Sequence, residues 1–125
     1  MGKNFLIAED NGINLDMLKE LLKEEGAACD CAKNGMAAVD LFRHSKKGQY
    51  DLIFMDVQMP DMDGYEATRA IRKMKHPDAK DIPIVAMTAN AFSNDVKAAF
   101  DCGMNAHLAK PVNIDRIKDI VANFT

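Results

Sequence analysis

Positive charge is in short supply: 16 lysines and arginines face 19 aspartates and glutamates, for a formal net charge of -3. That balance gives the chain no electrostatic hold on nucleic acid or on an anionic membrane. No apolar run reaches the length of a membrane span and no secretory hydrophobic stretch opens the sequence, so a cytoplasmic location is expected. Cysteine is scarce and odd in number, with Cys29, Cys31 and Cys102. Cys29-Asp30-Cys31 is too tight for the usual Cys-x-x-Cys metal or redox spacing. On a strand the two thiols would share one face, and core packing in a reducing compartment is their expected role. Linkers, low-complexity tracts and duplicated motifs are also missing. The 125 residues, 48% of them apolar, therefore read as one domain over 1–125. Folding at this size hides roughly two-thirds of the unfolded surface, enough for a core without cross-links.

What the sequence does contain is an alternation of short apolar runs with longer segments of helical period. The runs are Phe5–Ala8, Ala27–Ala32, Tyr50–Met55, Ile82–Met87 and Asn105–Ala109. After each comes a predicted helix: Leu15, Leu18 and Leu22 line the first, and Val39 and Phe42 the second, with Gly26 and Gly48 as their stops. Ala67, Ala70, Ile71 and Met74 line the third. Val96, Ala99 and Phe100 line the fourth, capped by Ser93; Ile114, Ile117, Ile120 and Val121 line the last. Five strand–helix pairs without a hairpin signal predict an α/β fold, a five-stranded parallel sheet covered by helices on both faces. Pro83 has to sit early in its strand, where a missing donor is tolerated.

The chemistry gathers at the strand ends. Glu9 and Asp10 follow the first strand, Asp56 the third, Thr88 the fourth and Lys110 the fifth. Ligands of open parallel sheets bind outside the carboxyl ends of the strands, so these residues converge from distant parts of the chain. Three carboxylates crowd unfavourably unless a cation joins them, and oxygen ligands with open positions suit Mg²⁺, with Mn²⁺ as a substitute. Three negative charges, the ion's two positive ones and the Lys110 ammonium sum to zero. A carboxylate is a poor nucleophile at phosphorus, which leaves the protein the work of positioning and charge neutralisation. Asp56, in the middle of the set, is the expected acceptor.

The stretches Ala8-Glu9-Asp10-Asn11, Met55-Asp56 through Asp63-Gly64, Pro83–Ala89 and Lys110-Pro111 together resemble the receiver domains of two-component signalling; Asp10-Asn11 followed by Asn14, with Met87-Thr88-Ala89-Asn90, further resembles those of hybrid sensor histidine kinases. The resemblance implies a (βα)5 flavodoxin-like fold with strand order 2-1-3-4-5. It implies Asp56 as phosphoacceptor, and Glu9, Asp10, Asp56 and the Gln58 carbonyl as the Mg²⁺ site. Thr88 becomes the switching hydroxyl, Lys110 the partner of the phosphoryl oxygens, and Lys110-Pro111 a cis peptide. Gln58 and Asn90, two places past acceptor and threonine, become the residues that tune hydrolysis. The second switch position, Tyr or Phe in most of the family, is here His107. Such domains catalyse only their own phosphorylation, from a phosphohistidine on a kinase or phosphotransfer domain, and their own slow dephosphorylation. Partners would then be that donor, met on the first helix, and a downstream protein met on the helix after Ser93 and the strand of His107. Neither nucleic acid nor membrane contact is expected of the domain itself.

Phosphorylation adds roughly one negative charge, worth about 2 kcal/mol at about 8 Å and an effective dielectric near 20, or about thirtyfold in a two-state ratio. The alternative reading is a small Mg²⁺-dependent phosphohydrolase using Asp56 covalently, which would need a further acid or base. A calcium loop at Asp61-Met62-Asp63-Gly64 fails, because Met59 and Ala70 stand where its first and last ligands belong. The methionines, Met55, Met87 and Met104 among them, read as core filling.

Overall fold

A computed structural model describes residues 3–89, 93–110 and 112–125. Strands and helices alternate along the chain: β1 (Asn4–Ala8), α1 (Gly12–Glu24), β2 (Ala28–Ala32), α2 (Gly35–Arg43), β3 (Leu52–Asp56), α3 (Gly64–Lys73), β4 (Ile84–Thr88), α4 (Ser93–Cys102), β5 (Ala106–Ala109) and α5 (Ile114–Phe124). The strands pair in parallel in the order β2-β1-β3-β4-β5, as expected. Several helix boundaries have local causes. Asn11, Asn34, Asp63 and Asn113 cap α1, α2, α3 and α5, each accepting a first-turn backbone N–H on its side-chain oxygen. At the far end of α1, Gly26 (φ 80°) donates to the Lys23 carbonyl and Ala27 to that of Leu22. This is the left-handed stop that glycine permits.

The pleat divides the core in two. Phe5, Ile7, Leu52, Phe54, Val85, Met87 and Leu108 face α1 and α5, meeting Leu15, Leu18, Leu22, Ile117 and Ile120. Leu6, Ala8, Ile53, Met55, Ile84 and Ala86 face α2, α3 and α4, meeting Phe42, Ala67, Ile71 and Ala99. β3 and β4 are buried at every residue, which is why they read as continuous apolar runs. Cys29 and Cys31 are half-buried on one face of the edge strand β2, packed on the α1 side as expected. Burial, helped by neighbouring Cys31, pushes the Cys29 thiol up to about 11.

Three expectations need correction. Phe100 is half exposed; the buried side of α4 is Ala99 and Cys102, with Val96 at its margin, because the helix meets the sheet along a stripe too narrow for both Ala99 and its neighbour. Gly48 does not end α2, which stops at Arg43 with His44 as its cap; Gly48 (φ 75°) turns the chain later, in the loop before β3. Not every methionine is core: Met55, Met87 and Met104 are buried, but Met17 and Met36 are exposed. Ser93 is the first helical residue of α4.

One cross-link outside the sheet joins α3 to the end of α4. Arg72 donates from Nε and Nη2 to the Gly103 carbonyl (3.0 and 2.8 Å), from Nη1 to the Ala79 carbonyl (2.9 Å) and from Nη2 to Asn105 Oδ1 (2.9 Å). Asn105 Oδ1 also accepts the Ile84 N–H, tying this knot to the start of β4.

Candidate phosphoacceptor site

Ladder hydrogen bonds run one residue past the strands. Glu9 N–H donates to the Ala32 carbonyl (3.0 Å), Val57 N–H to Met87 (3.0 Å) and Lys110 N–H to Thr88 (2.8 Å). The alternation of faces therefore continues to the end of the sheet. Glu9 follows Phe5 and Ile7, Asp56 follows Leu52 and Phe54, and Lys110 follows Leu108. All three side chains are delivered on the α1–α5 face. Thr88 follows Ile84 and Ala86 onto the opposite face, and His107, the ladder partner of Ala86, shares that face.

Lys110 Nζ lies 2.9 Å from Glu9 Oε1 and 2.9 Å from Asp56 Oδ2. The remaining oxygen of each carboxylate takes a backbone donor: Asn11 N–H reaches Glu9 Oε2 at 3.3 Å, and Gln58 N–H reaches Asp56 Oδ1 at 3.1 Å. Both carboxylates are buried, at 2% residue exposure. Asp10 is exposed at the rim, and one oxygen each from Glu9, Asp10 and Asp56 lie within 4.8 Å of one another. An open groove lined by Asp10, Gln58, Met59, Pro60, Asp63 and Tyr65 leads outward from there.

Two buried carboxylates and one ammonium leave an excess negative charge, and the proton equilibria register it. Burial, then the adjacent Glu9 carboxylate, pushes the Asp56 carboxyl up to about 7 against the pull of Lys110 and the Gln58 N–H. Burial acts upward on Glu9 too, but its hydrogen bonds with Asp56, Lys110 and the Asn11 N–H outweigh that, holding it below the usual range. Burial would lower Lys110; its bonds to Glu9 and Asp56 win and hold the ammonium above its ordinary value. Such a site is relieved by a proton on Asp56 or by a cation. The donor set, three oxygen-only carboxylates with one side open to solvent, fits a hard divalent ion that keeps some of its waters.

The strand-end residues Glu9, Asp10, Asp56 and Lys110 are thus brought together. Gln58 is exposed at the mouth, with its backbone N–H on Asp56 Oδ1. Thr88 is buried at the end of β4, and His107 is half-buried on β5. Asn90 and the Lys110-Pro111 peptide lie outside the described residues. Sequence reasoning missed the two backbone donors from Asn11 and Gln58, since a main-chain N–H leaves no residue signature. It also missed two close approaches. A Cβ on Gly64 would lie 2.3 Å from the Asp56 carbonyl oxygen, and one on Gly35 would lie 2.3 Å from that of Met62.

The family model described as the response regulator receiver domain matches residues 5–122. The chain belongs to that family. Among curated relatives of this receiver, the probable histidine kinase 2 of Oryza sativa subsp. indica is 39% identical over 96% of the chain. Hybrid signal transduction histidine kinase B of Dictyostelium discoideum is 41% identical over 92%. The chain spans only 12% and 6% of the length of these two proteins. Among solved structures, the receiver domain of sensor histidine kinase PA1611 from Pseudomonas aeruginosa PAO1 superimposes with a TM-score of 0.88 at 33% identity, covering 99% of this chain and 98% of that one. That structure has a magnesium ion coordinated in its active-site cleft. A co-crystal structure of the Saccharomyces cerevisiae histidine phosphotransfer protein Ypd1 with the receiver domain of Ssk1 matches with a TM-score of 0.85 at 32% identity, covering 98% of this chain and 88% of that one. Among the described residues of the receiver, no helix is long and apolar enough to cross a membrane.

Proposed function

We propose that this receiver, over residues 1–125, is a cytoplasmic phosphoacceptor switch that takes a phosphoryl group onto Asp56 from a phosphohistidine, in a Mg²⁺-dependent reaction. The observation that carries the reading is Lys110 Nζ at 2.9 Å from both Glu9 and Asp56, with Asp10 at the rim of the same cluster. In the transfer a new O–P bond forms at an Asp56 oxygen while the donor's N–P bond breaks, and the departing imidazole keeps the electron pair. Glu9, Asp10, Asp56 and the Gln58 carbonyl would hold the ion, which supplies two positive charges and coordination positions for phosphoryl oxygens.

The chain's own groups do the rest. Glu9 and Asp10 supply the charge that attracts the cation, and Asp56 must be in its carboxylate form. Lys110, already turned into the site, neutralises the transferred group as it arrives. Thr88, at the end of β4, is the hydroxyl that answers the added charge, and His107, on the same face, is the next side chain to move. Gln58 and Asn90 tune the lifetime of the acyl phosphate. Ile13 and Met17 are exposed on α1, beside Asp16 and Glu20, and form the docking surface for the kinase or phosphotransfer partner. The relative crystallised with a phosphotransfer protein supports that choice of partner. Exposed Phe100 on α4 lies on the surface offered to the downstream protein.

The test is incubation with acetyl phosphate and Mg²⁺, read by intact mass. One phosphate should add to the native chain and none to Asp56→Ala or to chelated samples. A native chain that stays unmodified, or that releases phosphate rapidly and repeatedly, would overturn the assignment.

A further inference from the structure

α1 and α2 begin with the same two residues. Asn11 and Asn34 are the caps, accepting from Asn14 N–H (3.0 Å) and Ala37 N–H (2.8 Å), and Gly12 and Gly35 are the first helical residues. Neither glycine has a positive φ, so neither is required by its backbone angle. Their surroundings differ. A Cβ on Gly12 would meet nothing within 4 Å, whereas one on Gly35 would meet the Met62 carbonyl oxygen at 2.3 Å and both the Met62 carbonyl carbon and Cβ at 3.0 Å. A carbon rests against a carbonyl oxygen at about 3.3 Å or more, so a methyl group at Gly35 would displace one of the two segments by about 1 Å.

Met62 belongs to the loop between β3 and α3, which carries Gln58. The loop is pinned at its base by Val57 N–H on the Met87 carbonyl and Gly64 N–H on the Val57 carbonyl (3.2 Å); within it, Gln58 N–H reaches Asp56 Oδ1, Met62 N–H the Pro60 carbonyl (2.7 Å) and Glu66 N–H Asp63 Oδ1. Asp61, between Pro60 and Met62, has φ 68°, which folds the loop into a tight turn and brings the Met62 carbonyl round. At its far end, Gly64 packs against the carbonyl of Asp56 itself. The loop is thus wedged between the last residue of β3 and the first residue of α2.

We infer that Gly35 is a positioning residue for the phosphoacceptor site: its missing side chain lets the start of α2 seat the Met62 carbonyl, and through it the backbone of the loop that presents Gln58. The inference rests on the phosphoacceptor reading for its consequence, but the seating of the loop can be measured without it. Misplacement by about 1 Å is on the scale that costs positioned chemistry about a hundredfold.

The experiment compares Gly35→Ala with Gly12→Ala, the same substitution at the same helical position without the contact. In the metal-free protein, the amide resonances of residues 58, 59 and 61–63 should move in Gly35→Ala and hold in Gly12→Ala. The Mg²⁺ dissociation constant should rise about tenfold, and the rate of modification by acetyl phosphate at saturating Mg²⁺ should fall by at least about as much. Gly12→Ala should stay within about twofold of the native chain in both. A merely structural glycine would lower the melting midpoint and leave these folded-state quantities alone; that result, or unshifted loop resonances, would overturn the inference. If Gly35→Ala does not fold, a Mg²⁺ titration of the native chain decides. Gly35 and Met62 signals that move with the same apparent Kd as those of Gln58 support the coupling, and motionless ones refute it. Failure of the native chain to take up phosphate would instead refute the phosphoacceptor reading, leaving the loop resonances to judge Gly35.

Discussion

At the carboxyl ends of the strands, Lys110, with 19% of its side chain exposed, is held 2.9 Å from two carboxylates that are almost wholly buried. At the amino ends, Lys118 stands 3.4 Å from Glu25, with 57% and 36% of the two side chains exposed, and Lys3 donates to the Thr125 carbonyl at 3.3 Å. Both rims belong to one sheet and use the same residue types. They differ in what water can do. The exposed pair is solvated whether or not it forms and is worth well under about 1 kcal/mol. The buried set has exchanged its hydration for one ammonium and two backbone N–H groups, one donor too few for its charge. A buried, under-neutralised cluster stabilises nothing by itself, and a fold tolerates it where a ligand completes it.

Removing the ammonium should break this contrast most severely. Lys110→Ala is expected to slow modification by acetyl phosphate about a hundredfold, the usual scale for losing one preorganised charged donor. It should also cost about 3 kcal/mol in urea unfolding near neutral pH, because two buried carboxylates lose their partner. That deficit should shrink as the pH is lowered to about 5, where a protonated carboxyl needs no counter-charge. An unchanged unfolding midpoint at neutral pH would mean that the carboxylates are not held as described.

Proton and metal occupancy distinguish the two rims further. Asp56, raised to about 7, holds a proton in the folded chain at pH values where the unfolded chain has released it. Without metal, its contribution to stability is therefore full below the ordinary carboxylate range and lost as the pH rises to about 7, at up to about 1.4 kcal/mol per pH unit. Glu9, shifted the other way, contributes stability above the ordinary range and loses it only on acidification below that range, at the acid end of the Asp56 slope. Mg²⁺ needs the carboxylate, so its apparent Kd should rise by up to about tenfold per pH unit below about 7 and level off above. Calorimetric titration across that range checks this, and a flat profile would place the Asp56 proton elsewhere. The smallest effect belongs to the other rim: Lys118→Ala should move stability by no more than about 0.5 kcal/mol and leave phosphate uptake alone.

The fold and most of the site were legible because strand ends in a parallel sheet are a small set of places. Glu9, Asp10, Asp56, Thr88 and Lys110 each follow an apolar run, and the topology brings such positions together whatever the intervening helices contain. The sequence was less informative about which carboxylate goes deep. Glu9 and Asp10 are adjacent and both acidic; only the continuation of the β1–β2 ladder through Glu9 turns that side chain inward and leaves Asp10 at the rim. Phe100 misled because helical period marks a stripe but not its width, and α4 buries Ala99 instead. Gly12 and Gly35 look alike as letters. Their difference lies in a carbonyl of residue 62, remote in sequence and carried by the main chain, where no side-chain pattern could announce it.

The guanidinium of Arg72 has a mechanical consequence. With its donors committed to Ala79, Gly103 and Asn105, it rivets the trailing end of α4 to α3 and to the root of β4. A helix fixed at one end is displaced like a lever, so a shift of α4 that leaves these bonds intact would be larger at its leading end than at Gly103.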